Sequence, residues 1–356
     1  MKILIDISQI VHGTGVSTYT KKLVENLLGL DTENEYALFG GSLRKLTELK
    51  KFTKSLEGKF EERLIPLPPG VMELLWNRLH TFPIDWLAGK TDVFHSSDWT
   101  EPPSSAFKVT FVHDIAPLKF PKLTHPKVVA VHQRKLAWAK KEVDRVMVPS
   151  EATAEDLVGM GIDKKKIRIV PEASATKKST KAKVEKIKSK FKIPNEYILA
   201  VGVHPRKNTE KTIEAFEKVK PGEDLKLVVA GEHFMEVEER RGVRFVGHVG
   251  DEDLSALYTG AAALVYPSLH EGFGIPVLDA MSVGTPVVTS NISSMPEVAG
   301  DAAVLVDPTD TDSIAEGIEV ALRQKKTLAK KGKIQAAKFS WEKTAKRTLE
   351  VYKEAK

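Results

Sequence analysis

HEGFGIPVLD, His270 to Asp279, continued by AMSVGTPVVTS, Ala280 to Ser290, sets one carboxylate in a glycine-rich turn and a second eight residues later. Upstream, Tyr258 to Val265 is a mostly apolar run ending at Pro267 and Ser268, and Gly272 and Gly274 then favour a sharp turn. A helix is expected from about Ile275. Pro276 suits the first helical turn, where a missing N–H costs nothing, and Gly284 and Pro286 end the helix. Glu271 therefore falls in the loop and Asp279 about one turn into the helix. Both carboxylates can face one crevice, with the amides near the helix start pointing at its occupant. Carboxylates accept from sugar hydroxyls and free amides donate to sugar or phosphate oxygens, so a polyhydroxylated, phosphorylated ligand fits. The simpler alternative is a loop–helix junction with a solvated Glu271 and an Asp279 that merely suits the helix dipole.

Similar strand-to-loop-to-helix units recur along the chain. Strands are expected at Lys2 to Ile7, Tyr36 to Phe39, Val93 to Phe94, Lys108 to Val112, Arg145 to Val148 and Ile167 to Val170. After a Lys-, Ser- and Thr-rich stretch from Pro171 to Pro194, a second series follows. Its strands are expected at Tyr197 to Gly202, Leu225 to Ala230, Arg244 to Val246, Ala262 to Tyr266, Pro286 to Thr289 and Ala303 to Val306. Alternation of this kind implies an α/β chain with mainly parallel sheets. At 356 residues the chain exceeds one ordinary core, so two domains are expected. The boundaries are 1–172, a linker region 173–194, 195–336, and a terminal helix within 337–356.

Composition narrows the class. The chain is 42% hydrophobic and 29% charged, and it has no cysteine, so disulfides and thiolate metal sites are excluded. MKILIDISQI opens directly as a strand without a signal-peptide pattern, and no run approaches the roughly 20 apolar residues of a membrane span. A cytoplasmic location is expected. The net charge of +6 permits anionic partners, but its lysine clusters lack the aromatic platforms and motifs of nucleic-acid binding, so no nucleic acid is expected. Lys181 to Lys192 reads as a solvated helix face. Residues 42 to 63 carry a secondary expectation of peripheral contact with the inner face of a membrane.

Two further segments sit where ligands of open α/β sheets gather, just past a strand. Val201 to Asn208 (VGVHPRKN) offers Arg206 and Lys207 before a helix for which Asn208 is a candidate cap; two fixed cations there form a diphosphate site. His113 and Asp114 follow Val109 to Val112, with Pro117 and Pro121 beyond. The loop His12 to Val16, with Gly13 and Gly15, is only a partial glycine fingerprint. Asp251, Glu252 and Asp253 look like a metal-binding triplet, but they precede a helix and read as its cap.

Taken with Ser294, Pro296, Glu297 and Gly300 to Ala303, the opening stretch resembles the C-terminal half of family 4 retaining glycosyltransferases. Their pattern is usually E-x7-E, and Asp279 stands here for the second acid. The resemblance implies a GT-B fold of two Rossmann-like domains with a cleft between them and a terminal helix crossing back to the first domain. It also implies a retaining hexosyltransferase that needs no metal and no cofactor. The substrate would be a nucleoside-diphosphate sugar, GDP-mannose or a UDP-hexose, and the acceptor a glycan or a lipid-linked sugar. By the same resemblance His113, Glu271, Arg206 and Lys207 are catalytic. Donor contacts come from Gly15, Arg206, Lys207, His248, Val249, Glu271, Gly272, Phe273, Gly274, Ile275 and Asp279. The alternatives are a GT-B sugar-nucleotide epimerase and a non-catalytic sugar-nucleotide-binding protein.

Overall fold

The computed structural model describes residues 1–13, 15–194, 196–219, 225–233, 235 and 240–356. They form two compact units: Met1–Glu172 with Trp341–Lys356, and Ala173–Ser340.

Unit 1 is built on seven strands, β1 (Lys2–Asp6), β2 (Glu35–Gly41), β3 (Phe60–Ile65), β4 (Val93–Ser96), β5 (Phe107–Phe111), β6 (Arg145–Val148) and β7 (Ile167–Ile169). All pair in parallel in the order β3-β2-β1-β4-β5-β6-β7. Ile3, Leu4 and Ile5 are all buried because both faces of a parallel sheet are covered, which is why these strands read as unbroken apolar runs. β3, FEERLI, escapes that reading: it lies at the edge, its middle residues are exposed, and its charges hide its period.

Within 42–63, residues Leu46–Ser55 form a helix whose Leu49 and Phe52 are buried in the core. The helix Gly15–Leu30 buries Tyr19, Leu23, Val24 and Leu27; Thr14 of the preceding loop lies outside the described residues. Ser150 caps the helix Glu151–Gly159 by accepting from the Thr153 amide at 3.1 Å. The terminal helix Trp341–Tyr352 buries Ala345, Val351 and Tyr352 in the core shared by β1 and the helix Gly15–Leu30. Just beyond it, Glu354 accepts from Arg145 and Arg168.

Unit 2 has six strands, β8 (Glu196–Val203), β9 (Leu225–His233), β10 (Val243–Gly247), β11 (Ala263–Tyr266), β12 (Val287–Ser290) and β13 (Val304–Val306). They too are parallel, ordered β10-β9-β8-β11-β12-β13. The helix Lys181–Phe191 belongs to this unit, capped by Thr180, and its Lys183 and Lys190 pair with Asp253. Asp251, Glu252 and Asp253 are not the cap of the next helix. The cap position is Gly250, and the three acids occupy the first turn of Asp251–Gly260, where they complement the positive end of its dipole.

In both sheets the strand order reverses once, between β1 and β4 and between β8 and β11. Loops leaving adjacent strands there diverge to opposite faces and open a crevice at the strand C-termini.

Candidate functional site

β8 delivers the loop His204 to Asn208 and β11 delivers Pro267 to Gly274, so the switch point of unit 2 brings Arg206 and Lys207 to Glu271. Lys207 Nζ donates to Glu271 Oε1 at 2.6 Å, and Arg206 Nη1 lies 2.9 Å from the same oxygen. The hydroxyls of Tyr266 and Ser268 donate to it as well, at 2.8 and 2.6 Å. Lys207 also donates to the Tyr266 hydroxyl. Burial alone would raise the Glu271 pKa, but the charges of Lys207 and Arg206 outweigh it and hold the carboxyl at about 2. Glu271 is thus ionised at any working pH, and its charge keeps two cations aimed at one place.

The loop is tied from below. Ser293 Oγ lies 3.2 Å from the Glu271 amide and donates to the Glu271 carbonyl at 2.8 Å, while Ser294 donates to the carbonyls of Glu271 and Phe273. Arg206 Nη1 donates to the His270 carbonyl at 2.5 Å. Gly274 has φ 104°, a backbone conformation that side chains rarely adopt, so glycine is required at the helix entrance, where it packs against Met295. The helix Ile275–Val283 starts with Pro276 in its first turn and ends at Gly284 in the left-handed conformation. Phe273 is buried edge-on against Phe339, so this residue has only its backbone to offer a ligand. Gly272 is buried and Ile275 half-buried beside it.

Asp279 is buried in that helix and its Oδ1 accepts from Ser174 Oγ at 2.5 Å. Burial raises its pKa to about 6, against the opposing hydrogen bonds from Ser174 and Thr176. It is therefore not one cluster with Glu271: each carboxylate has its own partners. Asn208 departs from expectation. It sits at the start of the helix Thr209–Lys218 with φ 61°, and instead of capping, its side chain donates to the carbonyls of Pro267 and Pro308. It thereby ties the two site loops together from within. His248 is 73% exposed near Glu232, whereas Val249 is buried. Among the described residues no group of three or more His, Asp or Glu is placed to hold a metal ion.

Unit 1 has its own polar cluster. His113, two residues past β5, bonds through Nδ1 to Glu172 Oε1 at 2.6 Å and packs against the rings of Tyr19 and Phe111. Its Nε2 is buried without a hydrogen-bond partner. Burial would lower the His113 pKa, but Glu172, with Asp98 and Asp114 further off, turns the net shift upward. Asp114 accepts from the Ala116 amide at 2.9 Å, so it shapes the turn and does not orient His113. Gly15 opens its helix with free space around its Cα.

Glu172, Ser174, Tyr266 and Ser268 were not foreseen. Ser268 and Tyr266 were within reach, since both flank the quoted stretch. Glu172 carries no local signal at all: it meets His113 from 59 residues away in sequence.

Known proteins resemble this chain along most of its length. A family profile described as "Glycosyltransferase Family 4" matches residues 13–174, and one described as "Glycosyl transferases group 1" matches residues 183–339. The O-antigen chain mannosyltransferase B of Escherichia coli is 28% identical, with 96% of each chain covered. The serotype-specific mannosyltransferase WbdA of the same organism is 30% identical over 68% of this chain, which spans about a third (33%) of it. Among solved structures, Anabaena HepE in complex with UDP-glucose superposes with a TM-score of 0.70 at 16% identity, covering 99% of this chain and 100% of HepE.

Proposed function

The chain belongs to the family 4 glycosyltransferases and has their GT-B fold, and from that premise we propose that it moves a hexose, mannose by preference, from a nucleoside-diphosphate sugar to a glycan or lipid-linked acceptor. The observation that carries the reading is the Arg206–Lys207–Glu271 cluster at the switch point of unit 2. A diphosphate arriving there replaces the carboxylate as partner of two cations already oriented for it, so little reorganisation is needed as the leaving group gains charge. Released from part of its pairing, Glu271 accepts from hydroxyls of the transferred sugar, and the amides of Gly272, Phe273, Gly274 and Ile275 donate to sugar and phosphate oxygens. Asp279 takes the ribose hydroxyls, and the backbone at His248 and Val249 meets the base. Gly15 gives the donor room to approach at the start of its helix.

His113 Nε2, buried and unsatisfied, is the group in unit 1 assigned to a donor sugar hydroxyl. In the proposed chemistry the glycosidic bond breaks toward the diphosphate and the acceptor oxygen attacks from that same face, with retention. The acceptor proton passes to a departing phosphate oxygen. No metal is needed if Arg206 and Lys207 stabilise the leaving group. The names of the mannosyltransferase relatives support mannose, and the HepE complex supports a sugar-nucleotide donor.

The test is release of nucleoside diphosphate from GDP-mannose, UDP-glucose and UDP-N-acetylglucosamine, with no added metal and again with chelator. Turnover of one donor, insensitive to chelator, is expected. If no donor binds or reacts, the transferase reading falls; if the chelator stops turnover, the metal-independent mechanism falls.

A further inference from the structure

Glu271 uses its two carboxylate oxygens unequally. Among the described residues, Lys207, Arg206, Tyr266 and Ser268 all reach Oε1, at 2.6, 2.9, 2.8 and 2.6 Å, and no donor meets Oε2. One oxygen is crowded and the other is left to face a ligand.

The four partners are of two kinds. Arg206 and Lys207 stand on the short turn Pro205–Lys207 after β8, both charged, with side chains 16% and 19% exposed. A diphosphate draws them. Tyr266 and Ser268 are neutral, 1% and 0% exposed, and built into the sheet. Tyr266 ends β11, where the Thr289 hydroxyl donates to its carbonyl at 2.9 Å, and its ring belongs to the core that holds Tyr258 and Phe273. The Ser290 hydroxyl donates to the Ser268 carbonyl at 2.5 Å. These two hydroxyls cannot follow a ligand out of the core.

The difference matters once the cations turn to a diphosphate. A carboxylate this buried, held by cations alone, would then take up a proton or swing after them, and either change removes the acceptor that a sugar hydroxyl needs. Hydrogen bonds from fixed hydroxyls to the charged oxygen prevent both. Tyr266 also accepts from Lys207, whose Nζ lies 4.8 Å from the ring centroid, so its hydroxyl directs its single hydrogen at Glu271.

We propose that Tyr266 and Ser268 are positioning residues for the transfer step, a role that rests on the glycosyl-transfer reading: they hold Glu271 Oε1 in place while Arg206 and Lys207 engage the diphosphate, so that Oε2 stays aimed at the transferred sugar. Phenylalanine and alanine would fill nearly the same core space. Packing alone therefore gives no reason for either hydroxyl.

The test is Tyr266→Phe and Ser268→Ala, singly and together, in the full chain. With the glutamate carboxyls labelled with carbon-13, and the Glu271 signal identified by its loss in Glu271→Gln, NMR follows its titration with and without saturating GDP. In the free chain the two cations hold the carboxylate in every variant, so its titration should move little. With GDP bound, the double variant should titrate about one pH unit or more above wild type. On GDP-mannose or UDP-glucose, kcat should fall about tenfold in each single variant with donor KM within about twofold, and the acid limb of its pH profile should move up with the NMR titration. A lowered melting temperature with the GDP-bound titration and kcat unchanged in the double variant overturns the proposal. Because the NMR arm needs only nucleotide binding, the two readings part cleanly. Failure of wild type to bind GDP or UDP sinks the donor reading and this role with it; binding with no shift in the double variant sinks this role alone.

Discussion

The polar clusters of the two units are built oppositely. In unit 2, two loops and the end of β11 supply everything, and Glu271 Oε1 collects Lys207, Arg206, Tyr266 and Ser268 until its charge is fully compensated. In unit 1, His113, Glu172, Trp99 and His12 come from the ends of four different strands, and His113 keeps a buried nitrogen with no partner. A compensated cluster is suited to stabilising charge that every donor shares, because its dipoles are oriented before the ligand arrives. A cluster with unsatisfied atoms is suited to selecting a particular ligand, because a ligand that leaves such an atom unpaired binds worse.

The comparison breaks most sharply at Glu271. Glu271→Ala leaves Lys207 and Arg206 without their common counter-ion, and turnover should fall by about 10²–10³-fold while nucleotide affinity changes by less than about tenfold. Steady-state kinetics beside nucleotide titration check this; unchanged turnover would remove Glu271 from the mechanism.

A smaller effect separates binding from stability within unit 2. Asp279 has its folded-state pKa raised from 3.8 to about 6, so the native state holds its proton more tightly than the unfolded chain does. Stability from this group is therefore lost as pH rises from about 4 to 6. Asp279→Asn should remove that cost, raising stability at pH 7 by at most about 3 kcal/mol, while weakening nucleotide binding if the carboxylate grips the ribose. Melting curves at pH 4 and pH 7 decide it: a gain equal at both pH values would mean that the carboxylate's charge is not the cause.

The smallest effect sharpens unit 1. His113 has its pKa raised above the ordinary 6.5, and its pairing with Glu172 stabilises the fold in full below that value and is lost as pH rises through the raised one. Glu172→Gln should move the His113 NMR titration down toward 6.5 and shift the pH profile of turnover the same way. An unmoved titration would show that Glu172 only fills space.

Much of unit 2 was legible because its decisive features are local. Gly274, Pro276 and Gly284 announce the turn, start and stop of one helix within eleven residues. The strands were legible for a similar reason, except β3, whose edge position lets charge replace apolar period. The role of Asn208 was misread because a capping residue and a residue that bridges two loops look alike before the loops meet.

By itself, the sequence determined the alternation of strand and helix, the two parallel sheets, the resemblance to a family, and the loop that carries Glu271. These follow from side-chain periodicity and backbone preference, which act over a few residues. Only the tertiary structure decided that Glu271 and Asp279 keep separate partners, that Glu172 holds His113, and that Trp99 stands in a cavity beside Arg134. Those depend on strand order, which brings together loops many residues apart, and no local spacing records which loops will meet.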